Sequence, residues 1–161
     1  EISCSLVGSE MCIRDSYGYV YESLILSVNG SKEYSNRLSV TAELSEDFSK
    51  LSKKDKANAP IAQFDKKECN FGEIKQGEKT SCDFTLTNTG KSILFIRKTK
   101  ASCGCTAVTL GQKEIQPGQS TTIRATFDST GKSGRQYKSI TVITNDPSQP
   151  ENTLTISGNV K

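Results

Sequence analysis

The side chains with most chemistry in this sequence are cysteines, and their spacing sorts four of them into two pairs. Cys103 and Cys105 stand on either side of Gly104. On a regular strand such positions face the same way with their α-carbons about 6.5 to 7 Å apart, longer than a relaxed disulfide. Three readings stay open for this pair. Gly104 could bend the backbone so that the two sulfurs form or exchange a disulfide. Both thiolates could meet one soft metal, and Cu(I) accepts two-coordinate sulfur. Or the segment merely ends a strand, its thiols inert and packed as small hydrophobes under a loop. Cys69 and Cys82 flank the turn residues Lys75-Gln76-Gly77 and fall on the core-facing phase of neighbouring strands. They are candidates for a cross-strand or diagonal disulfide in an oxidising compartment.

The rest of the composition excludes most other chemistry. There is no histidine, so the chain alone builds no Ser-His-Asp or Cys-His relay, no His-ligated zinc site and no imidazole proton shuttle. Thiols without that partner make a poor case for a catalytic-cysteine enzyme. The carboxylates are scattered over turns and solvent faces, without the pairing of a glycosidase. Gly131-Lys132-Ser133 fails as a phosphate loop, because Thr126 stands where the first glycine is required and no helix follows. With 21 basic and 18 acidic residues the net charge is +3, and it is not gathered into the basic stripe that a polyanion needs, so nucleic acid is not an expected partner. Leu24 to Val28 is the longest apolar run, far short of the roughly 20 residues of a membrane-spanning helix. No catalytic residue is assigned, and copper at Cys103 and Cys105 is the one cofactor in view.

The elements that must position these cysteines are strands. Cys82, Phe84 and Leu86 alternate against Ser81, Asp83 and Thr85, and Thr121, Ile123, Ala125 and Phe127 against Thr122, Arg124, Thr126 and Asp128, the period of a sheet with one buried face. Lys75-Gln76-Gly77, Asn88-Thr89-Gly90, Gln116-Pro117-Gly118 and Asn145-Asp146-Pro147 punctuate them with turn chemistry. About seven strands in about 100 residues over 61–161 predict an all-β, immunoglobulin-like antiparallel sandwich. Residues 46–60, rich in Lys, Ser and Asp, read as a linker, with Ser52 and Asp55 spaced to cap one short helical turn. Sliding the chain on itself by 116 residues aligns Tyr17–Leu44 with Ser133–Val160 without a gap, matching Gly18 to Gly134, Tyr21 to Tyr137 and Asn29 to Asn145. Residues 17–45 therefore read as the closing strand pair of a truncated sister domain. Residues 1–16, with Cys4 and Cys12, carry no periodic pattern. Their string LVGSEMCIRD resembles a translated sequencing adapter, so they are expected to be non-native and the true N-terminus, with any signal peptide, to be missing.

The strings FGEIKQGE, FTLTNTGKSILFIRK, KASCGCTAV and IQPGQSTTIRATFDSTGKSGRQYKSITVITNDP, running from Phe71 to Pro147, are similar to the bacterial family called domain of unknown function 1573, whose signature is the segment Ser102-Cys103-Gly104-Cys105-Thr106. The resemblance covers 61–161. It implies a Hydin-like branch of immunoglobulin folds, tandem copies in Bacteroidetes-type bacteria and export to the cell envelope, and it implies no reaction. Relatives often carry His-Asp-Phe-Gly where this chain has Cys69-Asn70-Phe71-Gly72, so no histidine role carries over. The expectation is a non-enzymatic interaction, adhesion or scaffold module of the periplasm or cell envelope, acting on a protein or envelope component. The alternative is a copper-binding or disulfide-exchange site at Cys103 and Cys105.

Overall fold

The computed structural model describes residues 17–25 and 37–161. The adapter-like segment 1–16, Leu26 and the Asn29-Gly30 turn lie outside the described residues. The chain divides into two units, Glu1–Asp47 and Phe48–Lys161.

In the first unit β1 (Gly18–Ile25) pairs antiparallel with β2 (Arg37–Leu44), Gly18 opposite Leu44 and Ile25 opposite Arg37. The hydroxyl of Tyr21 lies 2.9 Å from that of Ser39.

The second unit opens with a single helical turn, α1 (Lys53–Ala57). Ser52 Oγ accepts from the Asp55 N–H, and the Asp55 carboxylate accepts from the Ser52 N–H, the reciprocal box expected from that spacing. The strands that follow are β3 (Ala62–Phe64), β4 (Glu68–Ile74), β5 (Lys79–Asn88), β6 (Leu94–Ala101), β7 (Thr106–Leu110), β8 (Glu114–Ile115), β9 (Ser120–Asp128), β10 (Gly134–Thr144) and β11 (Glu151–Val160). They form two sheets, β4-β11-β10-β6-β8 and β3-β5-β9-β7. The seven strands of five residues or more answer to the expected sandwich, and β3 and β8 are short additions. One pairing departs from an all-antiparallel scheme. β4 runs parallel to β11.

The inward phase of each long strand supplies the core. Phe84 and Leu86 of β5, Ile123 and Phe127 of β9, Ile140 of β10 and Leu154 of β11 are all fully buried, each contributing about 1.5 to 3 kcal/mol of apolar transfer. At one end of the sandwich the turn residues are buried too. Asn88 donates to the carbonyls of Ser92 and Ile115 and accepts from the Gly90 N–H, so its buried amide is satisfied. Asp146 accepts from the N–H groups of Ala62 and Ser148 and from the Ser148 hydroxyl, and Asn152 accepts from the Lys67 ammonium.

This end also takes in residues that the sequence assigns to a linker. Pro60 is buried, the Lys91 N–H donates to the Ala59 carbonyl, and the Ser92 hydroxyl donates to the Asn58 carbonyl. The division between the two units falls at Phe48, and the strand-poor segment up to Pro60 is fixed by backbone bonds that leave no periodic signature. Gly90 is what permits the approach: a Cβ there would lie 2.6 Å from Pro60 Cα and as close to the Ile61 N–H. At the outer edge, Phe71 stacks on Phe127 with ring centroids 5.4 Å apart and covers Gly158, where a Cβ would strike the Phe71 ring.

Two substitutions test these close approaches. Gly90→Ala and Gly158→Ala should each lower stability by about 1 to 3 kcal/mol, the usual penalty of overpacking, seen in urea melts as a lower midpoint with unchanged slope. A neutral Gly90→Ala would show that the Ala59–Ile61 backbone does not pack there.

Candidate functional site

Each cysteine pair joins consecutive stretches of chain that pass from the five-stranded sheet to the four-stranded one, the first within the strands and the second in the connecting turn. The first crossing, β4 to β5, is spanned by a disulfide between Cys69 and Cys82, their α-carbons 6.2 Å apart. Cys82 is 4% exposed and sits in the core cluster, with Cys69 packed against it. The two strands do not pair with each other, so this is an inter-sheet bond and not the expected cross-strand or diagonal one. Adjacent strands with matching inward phase look alike in sequence whether they share a sheet or face each other across the core.

The second crossing, β6 to β7, holds Cys103, Gly104 and Cys105 in a turn. The backbone there is not extended. Its α-carbons close to 5.2 Å, and the two sulfurs are joined in a disulfide, which removes the separation that a regular strand would impose. The turn is held from both sheets. The Ser102 N–H donates to the Ser139 carbonyl of β10 at 2.9 Å and the Ser102 hydroxyl accepts from the Ser139 N–H. On the other side the Asp128 N–H of β9 donates to the Cys105 carbonyl at 2.9 Å, and within the turn the Thr106 N–H donates to the Cys103 carbonyl.

The two sulfurs differ in surroundings. Cys105 packs against the core cluster. Cys103 Sγ lies 3.6 Å from the hydroxyl of Thr106, itself only 6% exposed. Gly104 is exposed, with nothing within 4 Å of where a Cβ would stand. Neither the threonine nor the sheet-to-sheet placement was drawn from the sequence, although Thr106 stands inside the five-residue signature. Chemically, a disulfide sulfur is not a thiolate ligand, so Cu(I) at this pair would first require reduction. Among the described residues no three His, Cys, Asp or Glu side chains gather as a metal cage.

Asp128, whose N–H makes the bond to Cys105, carries a carboxylate held by its own neighbours. Hydrogen bonds from the Thr130 hydroxyl and N–H, then the Lys79 ammonium at 3.2 Å, bring its carboxyl from an ordinary 3.8 down to about 2.

The match to the family described as "Protein of unknown function (DUF1573)" spans residues 62–160. The chain belongs to the DUF1573 family. Its fold is similar to the crystal structure of a protein of unknown function from Porphyromonas gingivalis W83, at a TM-score of 0.67 and 20% identity over 95% of this chain and 69% of that one. It is also similar to the VesB protease of Vibrio cholerae, at 0.53 and 19% over 61% of this chain and 31% of that one. The ASH/PapD-like domain 7 of human CEP192 matches at 0.51 and 11% over 74% of this chain and 96% of that one. Comparison with curated proteins gave no match. At these identities the likeness carries fold alone, an immunoglobulin-like sandwich.

The two bonds should differ in their worth to stability. Cys69 and Cys82 are 13 residues apart and Cys103 and Cys105 only two, so chain entropy assigns about 3 kcal/mol to the first and about 1.5 kcal/mol to the second. Urea melts of Cys69→Ala/Cys82→Ala and Cys103→Ser/Cys105→Ser should show that order. Asp128 supplies a pH test. Its depressed carboxyl stabilises the fold above about pH 4, and that contribution is lost as pH falls toward about 2. Asp128→Asn should flatten the acid limb of a thermal-melting profile in that window, and an unchanged limb would contradict the bonds to Thr130 and Lys79.

Proposed function

We propose that this chain is an interaction module of the bacterial envelope, built from tandem immunoglobulin-like domains of which β1 and β2 are the closing strand pair of one and residues 61–161 the next. The observation that carries this reading is a repeated surface. Shifting β1–β2 by 116 residues reproduces the β10–β11 register pair for pair, Gly18↔Leu44 becoming Gly134↔Val160 and Ile25↔Arg37 becoming Thr141↔Thr153. Each pair presents a tyrosine at the same place, Tyr21 at 57% exposure and Tyr137 at 67%. Each tyrosine hydroxyl meets a hydroxyl on the partner strand, Ser39 in one and Thr155 in the other.

A large aromatic held in one orientation on an open sheet face contributes little to its own fold. It is, however, the side-chain type that anchors interfaces at low entropic cost. The two disulfides support an oxidising compartment, in line with the envelope location that the family resemblance implies. The likeness to the Porphyromonas gingivalis structure covers 95% of this chain, which supports a multi-domain reading of it.

Tyr21→Ala/Tyr137→Ala should leave the melting temperature within a few degrees, because exposed substitutions cost about 0.5 kcal/mol or less. Cosedimentation with isolated envelopes of a Bacteroidetes bacterium should fall at least about tenfold for this variant, the loss of about 1.4 kcal/mol of anchoring. Equal cosedimentation of wild type and variant, or none by the wild type, would overturn the reading.

A further inference from the structure

We propose that the Cys103–Cys105 disulfide is an exchangeable redox site that accepts two electrons from a protein or peptide dithiol. This goes beyond the interaction module and does not rest on it. Placement comes first. The bond closes over one residue, in a turn outside every strand, with open space over Gly104. A disulfide that spans a single residue restrains the unfolded chain little, and an accessible one is within reach of an attacking thiolate. Cys69–Cys82 spans 13 residues and has Cys82 built into the core, with Cys69 half-buried like Cys103 and Cys105.

The second observation is the asymmetry of the pair. The buried Thr106 hydroxyl lies 3.6 Å from Cys103 Sγ, placed to donate to a thiolate there and to favour it. Both cysteines are half-buried, and Cys105 packs against the core cluster, which suits it to resolve an intermediate formed on Cys103.

The steps balance. A partner thiolate attacks Cys103 Sγ, a mixed disulfide forms, the Cys103–Cys105 bond breaks, and Cys105 leaves as a thiolate that takes a proton from water. The partner's second thiolate then attacks its own sulfur in the mixed disulfide. Cys103 departs as a thiolate beside Thr106, the partner is left with a disulfide, and two electrons have moved to this chain. A small-molecule disulfide such as oxidised glutathione restores the Cys103–Cys105 bond by the reverse exchange, becoming two thiols.

The test uses the whole chain and a reduced dithiol peptide. Titration against mixtures of reduced and oxidised dithiothreitol, with alkylation and peptide mass mapping, should show Cys103–Cys105 opening at a ratio at least tenfold lower than Cys69–Cys82 while the far-ultraviolet circular dichroism stays native. With oxidised glutathione present, the chain should oxidise the peptide with multiple turnovers, and Cys103→Ser/Cys105→Ser should not. Cys105→Ser should accumulate a mixed disulfide on Cys103, and Cys103→Ser should accumulate less on Cys105. In the reduced protein Thr106→Val should slow alkylation of Cys103 roughly threefold, the net of fewer thiolates and higher nucleophilicity for one pKa unit, and Thr106→Ser should restore it. Should the double-serine variant misfold, the dithiothreitol titration on wild type decides alone. Opening of both bonds together, opening only on unfolding, or peptide oxidation no faster than with oxidised glutathione alone would each overturn the proposal.

Discussion

A two-sheet sandwich lives or dies by the places where its chain crosses from one sheet to the other, since there the backbone leaves one ladder before it has joined the next. In this protein the crossings from β4 to β5 and from β6 to β7 each carry a disulfide, and the contrast between them orders the rest of the structure. At the first, Cys82 is built into the core with Phe84 and Leu86 on the same strand. The bond ties the parallel edge strand β4 to the opposite sheet, and Phe71 of β4 covers Gly158 of the neighbouring β11 and stacks on Phe127 across the core. At the second the turn is pinned by backbone bonds from Ser139 and Asp128, so its disulfide is free of the task of holding the sheets together.

The opposite end of the molecule solves its crossings with polar side chains instead. Asn88 and Asp146 replace missing ladder partners for Ile115, Gly90, Ala62 and Ser148. Each such buried group is worth keeping only while fully paired, and that condition explains why Gly90 must let the Ala59–Ile61 backbone so near.

Much of this was legible in the sequence. The inward phases of β5 and β9 match the alternation of Cys82, Phe84 and Leu86 and of Thr121, Ile123, Ala125 and Phe127, because period two follows from strand geometry alone. The Ser52–Asp55 box and the turn positions follow from local chemistry in the same way. The parts that escaped depend on distant partners. Sequence adjacency suggests that β4 and β5 pair, yet they lie in different sheets. Asn88 and Asp146 read as turn formers, and their burial depends on Ile115 and Ala62, which are far along the chain. For the candidate site, the residue types and the role of Gly104 as a bend were visible. The turn that takes Cys103 and Cys105 off the strand was not, nor was the Thr106 hydroxyl beside one sulfur.

The two bonds divide the labour, Cys69–Cys82 belonging to the fold and Cys103–Cys105 to the exposed turn. Amide hydrogen exchange of the native chain, before and after mild reduction that opens only Cys103–Cys105, tests this division most directly. Protection of β5, β9 and β10 should be unchanged, with faster exchange confined to the amides of Ser102 to Thr106. Loss of protection across both sheets on opening that one bond would contradict the account.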